Sequence, residues 1–310
     1  MPHIIMRKVY LPTIKYFHRY KQAVEIEKIP GQCWLRFLYD TRFGRLLLQL
    51  FFKRAWFSKC VGWWMNTRFS KKNIRPFAKK YAIDFDMFEK KPQEYRHFND
   101  FFYRKFKPGM RPICQSPETL CFPCDGRHSG FQTIGDAQQF FVKSTPFTLR
   151  QLLQDETLAN RFRNGTCIIS RLAPVDYHRF HFPCDGTPKV ARLINGFLYS
   201  VSPVALQGSF RIFGENKRWL TVLESKQFGQ VALLEVGACC VGSVCETFIP
   251  ESLVRKGDEK GYFLFGGSTI ITIFEPNRVV LAPDLIDCTQ RGLELYAHMG
   301  DIMAQGAAKG

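Results

Sequence analysis

The chain changes character near residue 112, and that break limits the folds open to it. Residues 1–111 carry 25 Lys and Arg against 8 Asp and Glu, whereas residues 112–310 carry 19 of each sign. The whole formal excess of +17 therefore lies in the first third. There, from Trp34 to Met65, Leu, Phe and Trp alternate with Arg and Lys at spacings that suit amphipathic helices. Pro108-Gly109 and Pro112 punctuate the boundary. Beyond it, short β-rich runs take over at Thr166–Leu172, Lys189–Val201, Trp219–Leu223, Val231–Val244, Ser268–Phe274 and Arg278–Leu281, separated by turns bearing Gly, Pro and Asn. One helix is expected between Thr148 and Arg163. The predicted fold is α+β: a mainly antiparallel β catalytic body over 112–310, preceded by a basic, amphipathic, helical region over 1–111.

A basic segment attached to a neutral body implies an anionic partner for that segment. Nucleic acid and anionic lipid both qualify on charge. Four of the five tryptophans (Trp34, Trp56, Trp63 and Trp64) fall in the same region. Indole rings favour a lipid headgroup layer, being apolar with one wet N–H. The same aromatics also suit packing on the β body, and the two uses can occupy different faces. No recognition-helix or RNA-binding signature accompanies the charge, which ranks nucleic acid lower. The run Leu46 to Phe52 is interrupted by Gln49 and closed by Lys53-Arg54, far short of the ~20 apolar residues a membrane span requires. The eleven cysteines, with no apolar signal-like stretch between Met1 and Pro12, read as reduced thiols in the cytosol.

Three segments carry the chemistry. They are Cys121-Phe122-Pro123-Cys124-Asp125-Gly126, the run from Asp176-Tyr177-His178-Arg179-Phe180-His181 to Pro183-Cys184-Asp185-Gly186, and Gly266-Gly267-Ser268-Thr269. Together they supply a carboxylate, two histidines and a hydroxyl, the inventory of an activated nucleophile. Two glycines leave the carbonyl before Ser268 sterically bare, so its hydroxyl can attack its own chain. A serine hydrolase would use the same groups, but no Gly-x-Ser-x-Gly elbow is present. Cys121, Cys124, His178, His181 and Cys184 also have spacings that a zinc site could use.

In this order, over residues 98–310, these motifs resemble the phosphatidylserine decarboxylase family. Val236-Gly237-Ala238, Val241-Gly242-Ser243 and Met299-Gly300-Asp301 extend the likeness. Gly266 stands where many members have Leu. The resemblance implies self-cleavage of the Gly267–Ser268 bond into chains 1–267 and 268–310, with Ser268 becoming a pyruvoyl group. Asp125 and His181 are implied to activate Ser268, with Asp125 holding His181. His178 is implied to act in decarboxylation, donating a proton near its ordinary pKa of ~6.5. The implied reaction takes phosphatidylserine to phosphatidylethanolamine and CO2 through a Schiff base with the pyruvoyl group, which serves as electron sink without a metal. The expected partners are phosphatidylserine, an anionic membrane surface met through residues 1–111, the two chains of one precursor, and a second copy in a homodimer. The expected location is peripheral, on the cytoplasmic face of the cell membrane.

Overall fold

The computed structural model describes residues 14–52, 55–135, 148–201, 211–237, 244–266 and 268–307. The first elements are strands β1 (Lys15–His18) and β2 (Ala23–Ile26). Helices α1 (Gln32–Asp40), α2 (Arg42–Leu47), α3 (Ala55–Met65), α4 (Ile74–Lys80) and α5 (Phe98–Phe102) follow, with a π-helical turn at Leu48–Phe52. The β body then supplies β3 (Thr119–Cys121), β4 (Gly126–Phe131), β5 (Thr166–Leu172), β6 (Arg179–His181), β7 (Thr187–Pro188), β8 (Arg192–Ile194), β9 (Arg218–Ser225) and β10 (Gly229–Gly237). Strands β11 (Val244–Glu246), β12 (Glu259–Phe263), β13 (Ser268–Phe274), β14 (Val279–Leu281), β15 (Glu294–Ala297) and β16 (Ile302–Gly306) complete it.

The main sheet has ten strands in the order β2-β1-β15-β4-β5-β13-β10-β9-β7, with β8 also on β9. Two three-stranded sheets, β11-β12-β6 and β14-β16-β3, flank it. All pairings are antiparallel except β1 with β15. This matches the predicted α+β class with its antiparallel body.

The expectation of a mainly helical segment over 1–111 needs correction at residues 15–26. They form a hairpin that extends the main sheet, with Tyr16 opposite Glu294. Tyr16 is buried and its hydroxyl donates to Glu25 across the hairpin at 2.7 Å. Arg19 then makes two 2.7 Å bonds to Asp284, and Arg171 reaches Glu27 at 2.7 Å. The Arg19 pair spends one basic charge of this stretch within the fold, whereas Glu27 there answers an arginine of the β body. Among the described residues, helices begin at Gln32.

Strands β5 and β13 coincide with the predicted runs, and every residue of both is buried. On β13, Ile271 and Ile273 join Ile169, Leu234 and Val236 in one core. The alternating residue Phe274 joins Ile168, Val231, Leu233 and Leu285 on the opposite face. The predicted strand Lys189–Val201 is regular only at Arg192–Ile194, because Phe197 bridges to Asn216 instead. The single helix expected near Thr148–Arg163 is two, α6 (Leu149–Leu153) and α7 (Glu156–Arg161). Thr148 and Gln151 form a capping box on the first, Gln154 ends it at φ 46°, and Asp155 caps the second.

The helical layer has its own aromatic core of Ile74, Tyr95, Phe98, Phe101 and Phe102, against which Phe265 packs. It therefore lies over the segment leading into β13. Its outer side leaves Trp34, Phe43, Trp56, Trp63 and Phe69 exposed, Trp63 to 71% and Phe69 to 73%. Among the described residues no helix is long and apolar enough to cross a membrane.

Candidate active site

Ser268 is the first residue of β13, opposite Leu172 on one side and Gly237 on the other. Its hydroxyl is fully buried and has no hydrogen-bond partner among the described residues. A buried hydroxyl of this kind is costly unless it has work to do. Gly266 has φ 141°, a backbone that side-chain-bearing residues resist, which accounts for glycine at this place. Gly267, half of the expected cleavage site, lies outside the described residues, as do 241–243.

The histidine motif runs alongside this segment. Strand β6 pairs with β12, and Phe263 N donates to the His178 carbonyl at 2.9 Å. His178 is fully buried, with its ring 3.8 Å from that of Phe102. Its Nδ1 lies 3.0 Å from the Asp176 carbonyl, which only accepts, so Nδ1 carries the hydrogen. Nε2 carries no hydrogen and has no partner among the described residues. Burial pushes the His178 pKa down to about 3, and the Arg104 guanidinium acts in the same direction. At pH 7 this buried imidazole is therefore neutral, not the partly charged group expected of a histidine near its ordinary pKa.

His181 has the same tautomer for a similar reason. Its Nδ1 is 2.9 Å from the Gly257 carbonyl, and its Nε2 lies 3.2 Å from the Tyr177 hydroxyl, which donates to it. Burial lowers its pKa, while the Gly257 carbonyl and the Glu259 and Asp125 carboxylates oppose this. Gly257 sits at φ 87°, and a Cβ there would come within 2.7 Å of Ile113. A side chain here would strain the backbone and crowd Ile113.

Asp125 does not hold His181. Arg111 Nε approaches both carboxylate oxygens at 3.0 and 3.1 Å, and its Nη2 adds a 2.6 Å bond. Met299 N donates to the same carboxylate at 2.9 Å. The Asp125–Arg111 pair is buried, so truncating one partner strands the other charge at a cost of about 3–5 kcal/mol. The sequence places Asp125, His181 and Ser268 in one inventory. The structure keeps Asp125 and His181 close enough to interact electrostatically, but without a shared hydrogen bond.

Sequence reasoning missed several contributors. Arg111 and Arg104 lie within the run 98–113, yet nothing local reveals their partners. Arg104 donates to the Asp176 carbonyl at 2.9 Å, the same oxygen that fixes the His178 tautomer. Asn216, in a loop without an expected role, donates to the Gly237 carbonyl at 2.8 Å, opposite Ser268. Met299-Gly300-Asp301 serves through the Met299 N–H rather than a side chain. Among the described residues no group of three or more His, Cys, Asp or Glu side chains could hold a metal ion. A cavity of about 780 Å³ opens beside Asp125, with Arg104, Arg111, Arg127 and Tyr177 in its wall.

Comparison with known proteins identifies the family. A family profile for phosphatidylserine decarboxylase matches residues 98–294. The phosphatidylserine decarboxylase proenzyme of Chlamydia trachomatis is 42% identical over 290 residues, covering 94% of this chain and 96% of the relative. That of Fusobacterium nucleatum is 42% identical over 288 residues, covering 93% and 96%. The Clostridium novyi proenzyme is 41% identical over 288 residues, covering 93% and 98%. With the family profile and near full-length identity in agreement, the chain belongs to the phosphatidylserine decarboxylase family and is a carboxy-lyase.

Proposed function

We propose that this chain is a precursor that cuts its own Gly267–Ser268 bond and, with the pyruvoyl group so formed, converts phosphatidylserine to phosphatidylethanolamine and CO2. Support comes chiefly from Ser268, a fully buried hydroxyl without a partner among the described residues, at the head of a strand and two residues after Gly266 with its φ of 141°. The relatives' designation as proenzymes points the same way.

The cut needs a base and a bare carbonyl. Ser268 Oγ loses its proton to His181 Nε2 and attacks the Gly267 carbonyl, turning the amide into an ester. The Tyr177 hydroxyl now on Nε2 has to move aside for this. Asp125 contributes its negative charge, which raises the proton affinity of His181. Loss of the Ser268 α-proton then expels Gly267 as a carboxylate, and hydrolysis with release of ammonia leaves the keto group. The pieces are 1–267 and 268–310.

The residue present fits the prosthetic group: Ser268 Cα would become the keto carbon and Cβ its methyl, at the fully buried head of β13. A pyruvoyl group supplies a carbonyl able to hold the electron pair released as CO2 departs. His178 Nε2, without a partner among the described residues, passes a proton to the substrate's Cα. Phe102 and burial keep water away from that nitrogen.

A second reading is favoured by one observation. His178 Nε2 and Ser268 Oγ are both buried without partners, whereas His181 Nε2 is engaged. On that reading His178 is the base for the cut.

Intact mass measured after denaturation tests the main proposal. Two chains are expected, the smaller without a free amine and labelled by a hydrazide. A single full-length chain that decarboxylates phosphatidylserine at full rate overturns it.

The helical layer within residues 1–111 supplies the membrane contact. Exposed Trp56, Trp63 and Trp64 offer rings, and the basic excess offers charge to anionic headgroups. The protein then sits peripherally on the cytoplasmic face, where anionic lipid is concentrated. Sedimentation with phosphatidylserine vesicles is expected to carry it down at low salt. Replacing Trp63 and Trp64 by Ser is expected to weaken binding about tenfold, in line with loss of two interfacial rings. Equal binding to neutral vesicles at high salt would sink the idea.

A further inference from the structure

Asn99 is fully buried in α5, far in sequence from Ser268, and the groups it touches connect two distant parts of the fold. Its Oδ1 accepts from Phe265 N at 2.7 Å, and its Nδ2 donates to Asn66 Oδ1 at 3.0 Å. The amide orientation follows from chemistry: a backbone N–H can only donate, so the oxygen faces Phe265 and the NH2 faces Asn66. Phe265 lies three residues before Ser268. Its ring packs against Phe98 and Phe102 at 5.3 and 5.2 Å. Phe102 in turn lies on the His178 ring at 3.8 Å. Helix α5 thus supports the segment entering Ser268 through Asn99, and the His178 ring through Phe102. Asn66 follows the last turn of α3, the helix that exposes Trp63 and Trp64, with its N–H on Gly62 O at 3.1 Å.

We propose that Asn99, held in orientation by Asn66, is a positioning residue for the cut at Gly267–Ser268. It fixes the Phe265 peptide so that the carbonyl two residues later meets the Ser268 hydroxyl. The proposal rests on the self-cleavage reading above. Phe265 N has one acceptor here, Asn99 Oδ1. Removing it leaves a buried donor unpaired and lets the segment drift from a geometry that intramolecular attack needs.

The full chain made by cell-free translation and chased over time provides the test, with the two pieces resolved on a denaturing gel. Asn99→Ala is expected to slow cleavage about tenfold or more, the rate equivalent of one lost buried hydrogen bond. Asn66 is exposed, so its variants fold without a core defect. Asn66→Ala is expected to slow cleavage about threefold, while Asn66→Asp, which retains the acceptor oxygen, restores the wild-type rate. Thermal midpoints of the Asn66 variants, measured in uncut Ser268→Ala background, should stay together. If both alanine variants cleave like wild type, or if Asn66→Asp is as slow as Asn66→Ala, the positioning role is wrong and self-cleavage stands. If the wild-type chain itself stays whole, both fall.

Discussion

Ser268→Ala leaves one uncut chain and abolishes decarboxylation, with a fall of at least ~10⁴-fold expected, since the variant loses both the attacking oxygen and the source of the electron sink. The variant should nevertheless fold at least as well as wild type. Ser268 Oγ is buried and unpaired, so removing it relieves a desolvation penalty of about 1–3 kcal/mol. Few substitutions at a proposed reactive centre combine loss of all activity with a neutral or raised melting temperature. That pairing marks a residue kept for chemistry at the expense of stability. Intact mass and a thermal melt decide it together. A variant that is cut normally, or that melts several degrees lower, contradicts the role assigned to this hydroxyl.

The second large effect separates the two histidines. His181→Ala is expected to remain a single chain, because its Nε2 is the base assigned to the cut. His178→Ala is expected to be cut into two chains yet decarboxylate ~10²–10⁴-fold more slowly, the range typical of a lost general acid–base group. The physical ground is the difference in their surroundings. Burial lowers the pKa of both, but the Glu259 and Asp125 charges oppose this at His181, whereas Arg104 reinforces it at His178. Should His178→Ala stay whole while His181→Ala is cut, the unpaired His178 Nε2 is the base for cleavage, and the assignments exchange.

Much of this fold could be read from short stretches. Strands β5 and β13 are runs of Ile, Thr and other β-formers buried on both faces, so pattern alone delimits them. The hairpin at 15–26 escaped because its strands are four residues each and its stabilising partners, Asp284 and Arg171, lie more than a hundred residues away. The site divides in the same manner. Asp125, His178, His181 and Ser268 stand in motifs with recognisable spacing. What surrounds them is set by tertiary contact: Arg111 on Asp125, Tyr177 on His181, Asn99 on Phe265. His178 shows the limit most clearly. Its residue type suggests titration near neutrality, and only burial beneath Phe102 and beside Arg104 reverses that.

Strand β13 runs through the middle of the sheet, laddered to β5 on one side and β10 on the other along its whole length. A cut just before it leaves the shorter piece woven into the body, contributing β13 to β16. Such a piece cannot be exchanged for a fresh one without tearing both ladders, so the reactive end cannot be renewed once spoiled. Each molecule is then good for one lifetime of turnovers, and a cell restores capacity by new synthesis rather than by reloading old protein.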